Sequence, residues 1–433
     1  MNTVKPDSAT IDAIRKAWQI NNPADGSWLH AIKTGALEEF ARIGFPNTKQ
    51  ESWKYTDVRK LVGNYTQWLE NTPDSDAKTG APDLDIPGAV QIHFVDGIYR
   101  PDLSDSGALP DGVYAGMFSE LLADVPALKA RFGQLADSAD SGFVALNTAF
   151  GGCGVALVLP DNYELEQPLY LHFHASTPEL NTQPRVLVEL GVNSRATLIE
   201  HYTSDQQVVV NAVAEIRCNP GGSLNYYKLQ DEHTDAWHTA VQYVELQDAA
   251  HLHSTHIDIG GTLTRNELHV RLAGRGAEAD CKGLFLADGA RHVESRISVE
   301  HAAPDTRSRE RYRGILGGTA RGVFNGRIYV EADAQKTSAE LTNRNLLLSK
   351  GAEINTKPEL EIYADDVKCA HGSTTGQLDA TSLFYLLSRG IDEHEARNIL
   401  VVAFAGELVS DIGIDAITER AQQALRSLTT AAL

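Results

Sequence analysis

From Gly151 to about Gly372 the chain carries roughly 220 residues of short strand patterns, with no amphipathic helix of convincing length among them. Doubly wound and barrel α/β folds place a helix between successive parallel strands, so this stretch argues against both. The strand signal is period two. Val208, Val210, Ala212, Ala214, Ile216 and Cys218 fall on one face, with Asn211, Glu215 and Arg217 on the other. Leu268, Val270 and Leu272 oppose Glu267, His269 and Arg271, and Leu360, Ile362 and Ala364 oppose Glu359 and Glu361. Such alternation predicts one buried face per strand. Turn signals at Asn193-Ser194, Pro220-Gly221-Gly222, Asp248-Ala249, Gly274-Arg-Gly276, Gly317-Gly318 and Lys350-Gly351 recur without a strict period. A pair of β-sandwiches and a solenoid of stacked coils both fit, and the parallel β-helix is the favoured reading.

Helical patterns flank this core. Ser8 and Ser27 can cap two helices ahead of a stop at Gly44 and Pro46. Trp53 and Tyr55 follow as anchors expected to pack on a neighbouring unit. Asn71 to about Asp85 reads as a linker, and residues 86–150 as a mixed α/β connection containing a strand at Val90 to Val95. After Gly376, Asp379, Asp392 (with Glu395) and Asp415 can open three successive helices. The expected domains are a helical unit over 1–85, the connection over 86–150, the β-helix over 151–372 and a helical docking unit over 373–433.

With 38 basic and 58 acidic residues the net charge is −20, which repels phosphate backbones and anionic membranes. Neither nucleic acid nor membrane is therefore expected as a partner. The first residues have no basic segment leading into an apolar one, and no uncharged apolar run reaches about 18 residues. The chain is read as cytoplasmic. Its four cysteines lie far apart, which argues against a disulfide framework or a self-sufficient tetrahedral metal site. No Gly-x-x-x-x-Gly-Lys-Ser/Thr loop is present, so no ATP site of its own is expected, and Gly372-Ser-Thr-Thr-Gly376 reads as a hinge.

The candidate chemistry is sparse. His251, His253 and His256, like His172 and His174, read as polar-face histidines rather than ligands. Asp365 and Asp366 are neighbours, which an extended backbone points to opposite sides, so they read as a turn. Val367, Cys369 and His371 share one side of a strand. Thiolate with imidazole suits iron and iron–sulfur chemistry, but two ligands cannot hold a cluster alone.

Val367-Lys-Cys-Ala-His-Gly-Ser-Thr-Thr-Gly-Gln-Leu378 followed by Leu383-Phe-Tyr-Leu-Leu-Ser-Arg-Gly-Ile391 resembles the SufB/SufD family of the SUF iron–sulfur cluster assembly system. So do Phe324-Asn-Gly-Arg-Ile-Tyr-Val330, Ala334-Gln-Lys-Thr337, Asn343-Arg-Asn-Leu-Leu-Leu-Ser349 and Trp53-Lys-Tyr-Thr56. The resemblance is strongest from about 310 to 410 and weak between 65 and 150. It implies a mainly β fold, with a central right-handed parallel β-helix between two helical domains. It also implies a non-catalytic scaffold that pairs with a SufB-like paralogue and binds a SufC-like ATPase, with a transient iron–sulfur cluster at the paralogue interface. SufB-like chains carry a cysteine near the stretch equivalent to Thr342 to Leu348, and this chain has none there, which places the resemblance on the SufD side. By that resemblance His371 is the metal and cluster ligand and Cys369 a lesser companion. The ATPase-docking surface would include Phe384, Tyr385, Arg389 and Phe404. Two other readings stand beside it: a homodimeric β-helix scaffold, and a polysaccharide-active β-helix enzyme.

Overall fold

The computed structural model describes residues 8–22, 27–73, 84–104 and 110–431, so most of the stretch read as a linker lies outside the described residues. The helices are α1 (Ser8–Asn21), α2 (Trp28–Ile43), α3 (Arg59–Trp68), α4 (Phe118–Asp124), α5 (Pro126–Lys129), α6 (Gly142–Phe150), α7 (Ala380–Ser388), α8 (Glu393–Ser410) and α9 (Asp415–Ala431). The strands begin with β1 (Val90–Val95), β2 (Ile98–Tyr99), β3 (Val113–Met117), β4 (Cys153–Leu159), β5 (Leu169–Ala175), β6 (Asn181–Thr182) and β7 (Arg185–Leu190). They continue with β8 (Arg195–Ser204), β9 (Val209–Cys218), β10 (Ser223–Asp231), β11 (Trp237–Leu246), β12 (His251–Asp258), β13 (Leu263–Leu272) and β14 (Glu278–Ala287). The last are β15 (His292–His301), β16 (Arg307–Leu316), β17 (Arg321–Val330), β18 (Ser338–Leu347), β19 (Glu353–Ile362) and β20 (Lys368–Gln377).

The strands stack into two sheets that alternate along the chain. One runs β2-β1-β5-β8-β10-β12-β14-β16-β18-β20 and the other β19-β17-β15-β13-β11-β9-β7-β4-β3. All neighbours pair in parallel except the β1–β2 and β3–β4 pairs. This is a parallel β-helix of about eight turns, with its main apolar core between the sheets.

The coils do repeat. Strands of the first sheet begin at Arg195, Ser223, His251, Glu278, Arg307, Ser338 and Lys368, a step of about 27 to 31 residues. Each coil turns one corner through a left-handed residue: Asn193, Gly221, Ala249, Gly276, Asp305 and Lys336. Their backbone N–H groups form their own ladder onto the next coil, from Asn193 to the Pro220 carbonyl through to Lys336 on that of Asp366. Glycine is demanded at the opposite corner, where Gly318 has φ +56° and a Cβ would sit 2.6 Å from the Gly289 nitrogen.

The expectation of one buried face per strand is corrected. Ile199, Leu229, Ile257, Leu284, Leu286 and Ile315 point outward from the first sheet yet are buried, because α8 and α9 lie over them. Asp379 and Asp392 cap α7 and α8 by accepting from Ser382 N and Glu395 N, as the sequence predicts. Ser27 likewise caps α2, which closes at Gly44 with φ +74°. The N-terminal helices cover the outer face of the second sheet around Val209, Trp237 and Leu263. There the ring of Trp53 lies 3.6 Å from the Arg265 guanidinium, which is paired with Glu267 and Glu294, while Thr56 Oγ1 donates to Glu294. Trp53 is thus an internal anchor, whereas Tyr55 is exposed.

Candidate functional site

β20 hydrogen-bonds to β18 with Cys369 opposite Ala339, His371 opposite Leu341 and Ser373 opposite Asn343. Ala339 and Leu341 face the core and are buried. Cys369 and His371 therefore face the interior side of the solenoid, on the side that they share with Val367. β20 is the last strand of its sheet, so His371 is exposed where Leu341 beneath it is not. Cys369 is half-buried and packs on the core with Val367. That burial pushes its thiol above the usual range, which disfavours the thiolate a metal would need. Of the two side chains, His371 is the more exposed.

The Gly/Ser/Thr stretch is not a hinge. Residues 372–376 lie inside β20, paired with Thr342 to Leu346. Ser373 Oγ shares a hydrogen bond of 2.7 Å with Thr356 Oγ1 of β19, and donates to Asn343 Oδ1 at 3.3 Å. These contacts clip the two sheets together at the final coil.

Among the described residues, both sheets finish there on unpaired edges. Lys368 N–H donates to the Thr337 carbonyl, so in a parallel ladder the even residues of β20 bond inward to β18. The odd ones, His371 among them, present backbone N–H and C=O at the free edge. In β19, Glu353 N–H donates to Ala320, so the even residues face outward, and Pro358 sits at such a position where no donor is required. Asp365 and Asp366 form the bend between the two strands, as read.

Among the described residues no group of three or more His, Cys, Asp or Glu side chains is placed to hold a metal ion. His251 and His253 lie on the outer face, His251 3.8 Å from Glu278, while His256 is buried inside. His172 and His174 correct the sequence reading, for both are buried. They join His93, His201 and Thr203, which sequence reasoning missed. His93, His172 and His201 occupy one register across β1, β5 and β8. Thr203 Oγ1 lies 2.8 Å from both His172 Nε2 and His174 Nδ1, and Tyr170 Oη lies 2.7 Å from His201 Nδ1. Burial pushes His174 and His201 below the ordinary imidazole range, with the Asp205 carboxylate 3.4 Å from His174 opposing it there.

Beyond β20, α7 has no buried residue. Phe384 is 71% exposed and Tyr385 57%, with the Arg389 guanidinium 5.2 Å from the Tyr385 ring. Phe404 is different: it is half-buried, its ring meets Arg313 and its carbonyl accepts from the same guanidinium. No described helix is long and apolar enough to cross a membrane.

Comparison with known proteins adds family evidence. The SufBD core domain of SUF system FeS cluster assembly matches residues 173–404, and the SufBD protein N-terminal region matches residues 11–171. The iron–sulfur cluster assembly protein SufD of Escherichia coli is 32% identical over 86% of each chain. An iron–sulfur cluster assembly SufBD family protein of Synechocystis is 29% identical over 97% of this chain and 95% of its own. SufD of Bacillus subtilis is 25% identical over 91% of this chain and 92% of its own.

Proposed function

The chain belongs to the SufBD family of the SUF iron–sulfur cluster assembly system, and from that premise we propose that it is a non-catalytic scaffold subunit of a cytoplasmic assembly complex. The free edges of β19 and β20 pair with a SufB-like paralogue, and the cluster forms as cargo at that junction, with His371 as this chain's ligand. Cys369, half-buried and held as a thiol, is a lesser companion. A SufC-like ATPase docks on α7 around Phe384, Tyr385 and Arg389.

The observation that carries the reading is the final coil: two ten-residue strands without a further neighbour among the described residues, one of them presenting an exposed histidine that faces the interior side. One imidazole without a metal-binding group around it is what a shared site requires of one partner. The same edges are also available to a second copy of this chain, so a homodimer is the second reading for the chain in isolation.

Co-purification with a SufB-like and a SufC-like subunit, followed by anaerobic reconstitution, tests this. His371→Ala is expected to keep the complex intact and lose cluster formation by tenfold or more, about 1.4 kcal/mol. Normal cluster yield from an intact mutant complex rejects the ligand assignment. Phe384→Ser is expected to weaken ATPase binding roughly tenfold with stability unchanged, because the ring is exposed. Mass measurement with and without the paralogue separates homodimer from heterodimer.

A further inference from the structure

On the outer face of the first sheet, close to its free edge, positive charge is crowded in a chain that is acidic as a whole. Arg307, Arg309, Arg311 and Arg313 project outward from β16, alternating with the buried Ser308, Glu310 and Tyr312. Most of them meet an acid at once. Arg307 lies 3.5 Å from Glu278, Arg311 is held by Asp280 and Asp411, and Arg313 by Glu407 of α8. Arg309 stands opposite Glu340 of β18. Arg344 differs. It is exposed, it stands directly opposite Arg313 in the ladder, and it has no ion pair among the described residues. Both arginines line one hollow of about 90 Å3. Like charges opposite each other on neighbouring strands repel, and burial followed by the Arg344 charge lowers the pKa of Arg313.

Repulsion from the strand below favours a course for Arg344 toward the edge, and the strand above leaves room for it. β20 places Thr374 directly over Arg344, with Gly372 and Gly376 to either side on the same face. A Cβ at either glycine would meet nothing within 4 Å. The last strand is therefore small and uncharged where it passes the arginine. A further strand added to β20 would lie about 4.8 Å beyond it, and its outward side chains would stand over the same gap. We propose that the strand pairing with β20 belongs to the paralogous partner and carries a carboxylate on its outward face, which Arg344 receives, so that Arg344 selects the partner by charge. This rests on the reading of β20 as the pairing edge. A charge-assisted Arg–carboxylate pair is stronger than a neutral one, and a base in the same place would be rejected. A second copy of the chain is the poorer occupant. The outward residues of β20 run from Lys368 through Ala370, Gly372 and Thr374 to Gly376 and include no acid. Those of β19 are engaged: Glu353 lies 3.5 Å from Arg321, Glu359 bonds to Asn325 and Lys357, and Glu361 bonds to Arg327.

Calorimetric titration of the whole purified chain with a SufB-like paralogue tests this. Arg344→Glu is expected to weaken association at least about tenfold. Arg42→Glu, the same charge change on an exposed arginine of α2, is expected to leave it within about twofold. Because Arg344→Glu turns repulsion of Arg313 into attraction, the unfolding midpoint of the isolated chain is expected to hold or rise, and a midpoint that falls overturns the like-charge premise. Thr375→Pro, which obstructs the edge itself, separates the two levels of the argument. Association weakened by Thr375→Pro but not by Arg344→Glu overturns the proposal and leaves the pairing edge standing. Association indifferent to both overturns the pairing reading and the proposal with it. Equal weakening of self-association by Arg344→Glu, measured with no paralogue present, overturns the choice of occupant.

Discussion

The two ends of the solenoid follow opposite rules. At the first coil both sheets are closed by reversal: β2 folds back antiparallel on β1, and β3 on β4. At the last coil β19 and β20 stop as full ten-residue parallel strands, with no residue of β19 buried and only Cys369 of β20 even half-buried. Exposed edges of that length invite pairing with another chain, and soluble proteins ordinarily blunt them. One end is finished within the chain, while the other is left as a surface. Because His371 sits on the unfinished end, the same missing neighbour that exposes the edge also exposes the imidazole.

The sharpest test of this contrast is a matched pair of truncations. Leu198 lies in the closed part of the core at 0% exposure, whereas Leu360 in β19 is only partly buried against the same core. Leu198→Ala is expected to cost about 3 kcal/mol in urea unfolding of the isolated chain, and Leu360→Ala about 1 kcal/mol. Equal costs would mean that the last coil is already covered in solution.

Two inward histidines sharpen it next. His301 is sealed at 0% exposure, its nitrogens 2.8 Å from Thr306 and 2.9 Å from Ser308, and burial lowers its pKa to about 4. The unfolded chain, with an ordinary value of about 6.5, then binds more protons than the folded one as pH falls. His301 therefore contributes stability that is full above pH 6.5 and lost on acidification toward 4, up to about 3 kcal/mol. His301→Gln is expected to flatten the stability profile over that window by a similar amount. His371→Gln, at the open end, is expected to leave the unfolding midpoint nearly unchanged, because the imidazole is exposed. A profile indifferent to His301 would break the distinction.

What was legible follows the range of the interactions involved. Strand alternation and caps are local: Val208 to Cys218 became β9, and Asp379 and Asp392 became caps without help from elsewhere. The coil period was hidden, because one structural corner is filled by Asn193, Gly221, Ala249, Gly276, Asp305 and Lys336. Only some of these are turn-formers by composition, so no motif repeats. Without that period the register cannot be read, and register is what unites His93, His172 and His201 from three separate segments. It also determines that Gly372 to Gly376 is a strand: small residues look like a hinge until β18 supplies the ladder. The shared side of Cys369 and His371 follows from strand parity, but which of them is exposed depends on β20 being the last strand.

A smaller effect than those at Leu198 and His301, about 2 kcal/mol, tests the edge itself. Thr375 is an odd residue of β20, exposed, with its N–H directed to the free edge by the same alternation that turns Lys368 inward. Proline there removes one outward donor and obstructs a partner strand while keeping every bond to β18. Pro358 already occupies an equivalent outward position in β19, which argues that the fold accepts the change. Thr375→Pro is expected to weaken association with the pairing partner roughly thirtyfold, about 2 kcal/mol, with the unfolding midpoint nearly unchanged; titration calorimetry and a melt measure the two. Weakened association with intact stability assigns the edge to pairing. Unchanged association would mean that assembly uses another face, and the exposure of His371 would then need a different explanation from the one the two ends provide.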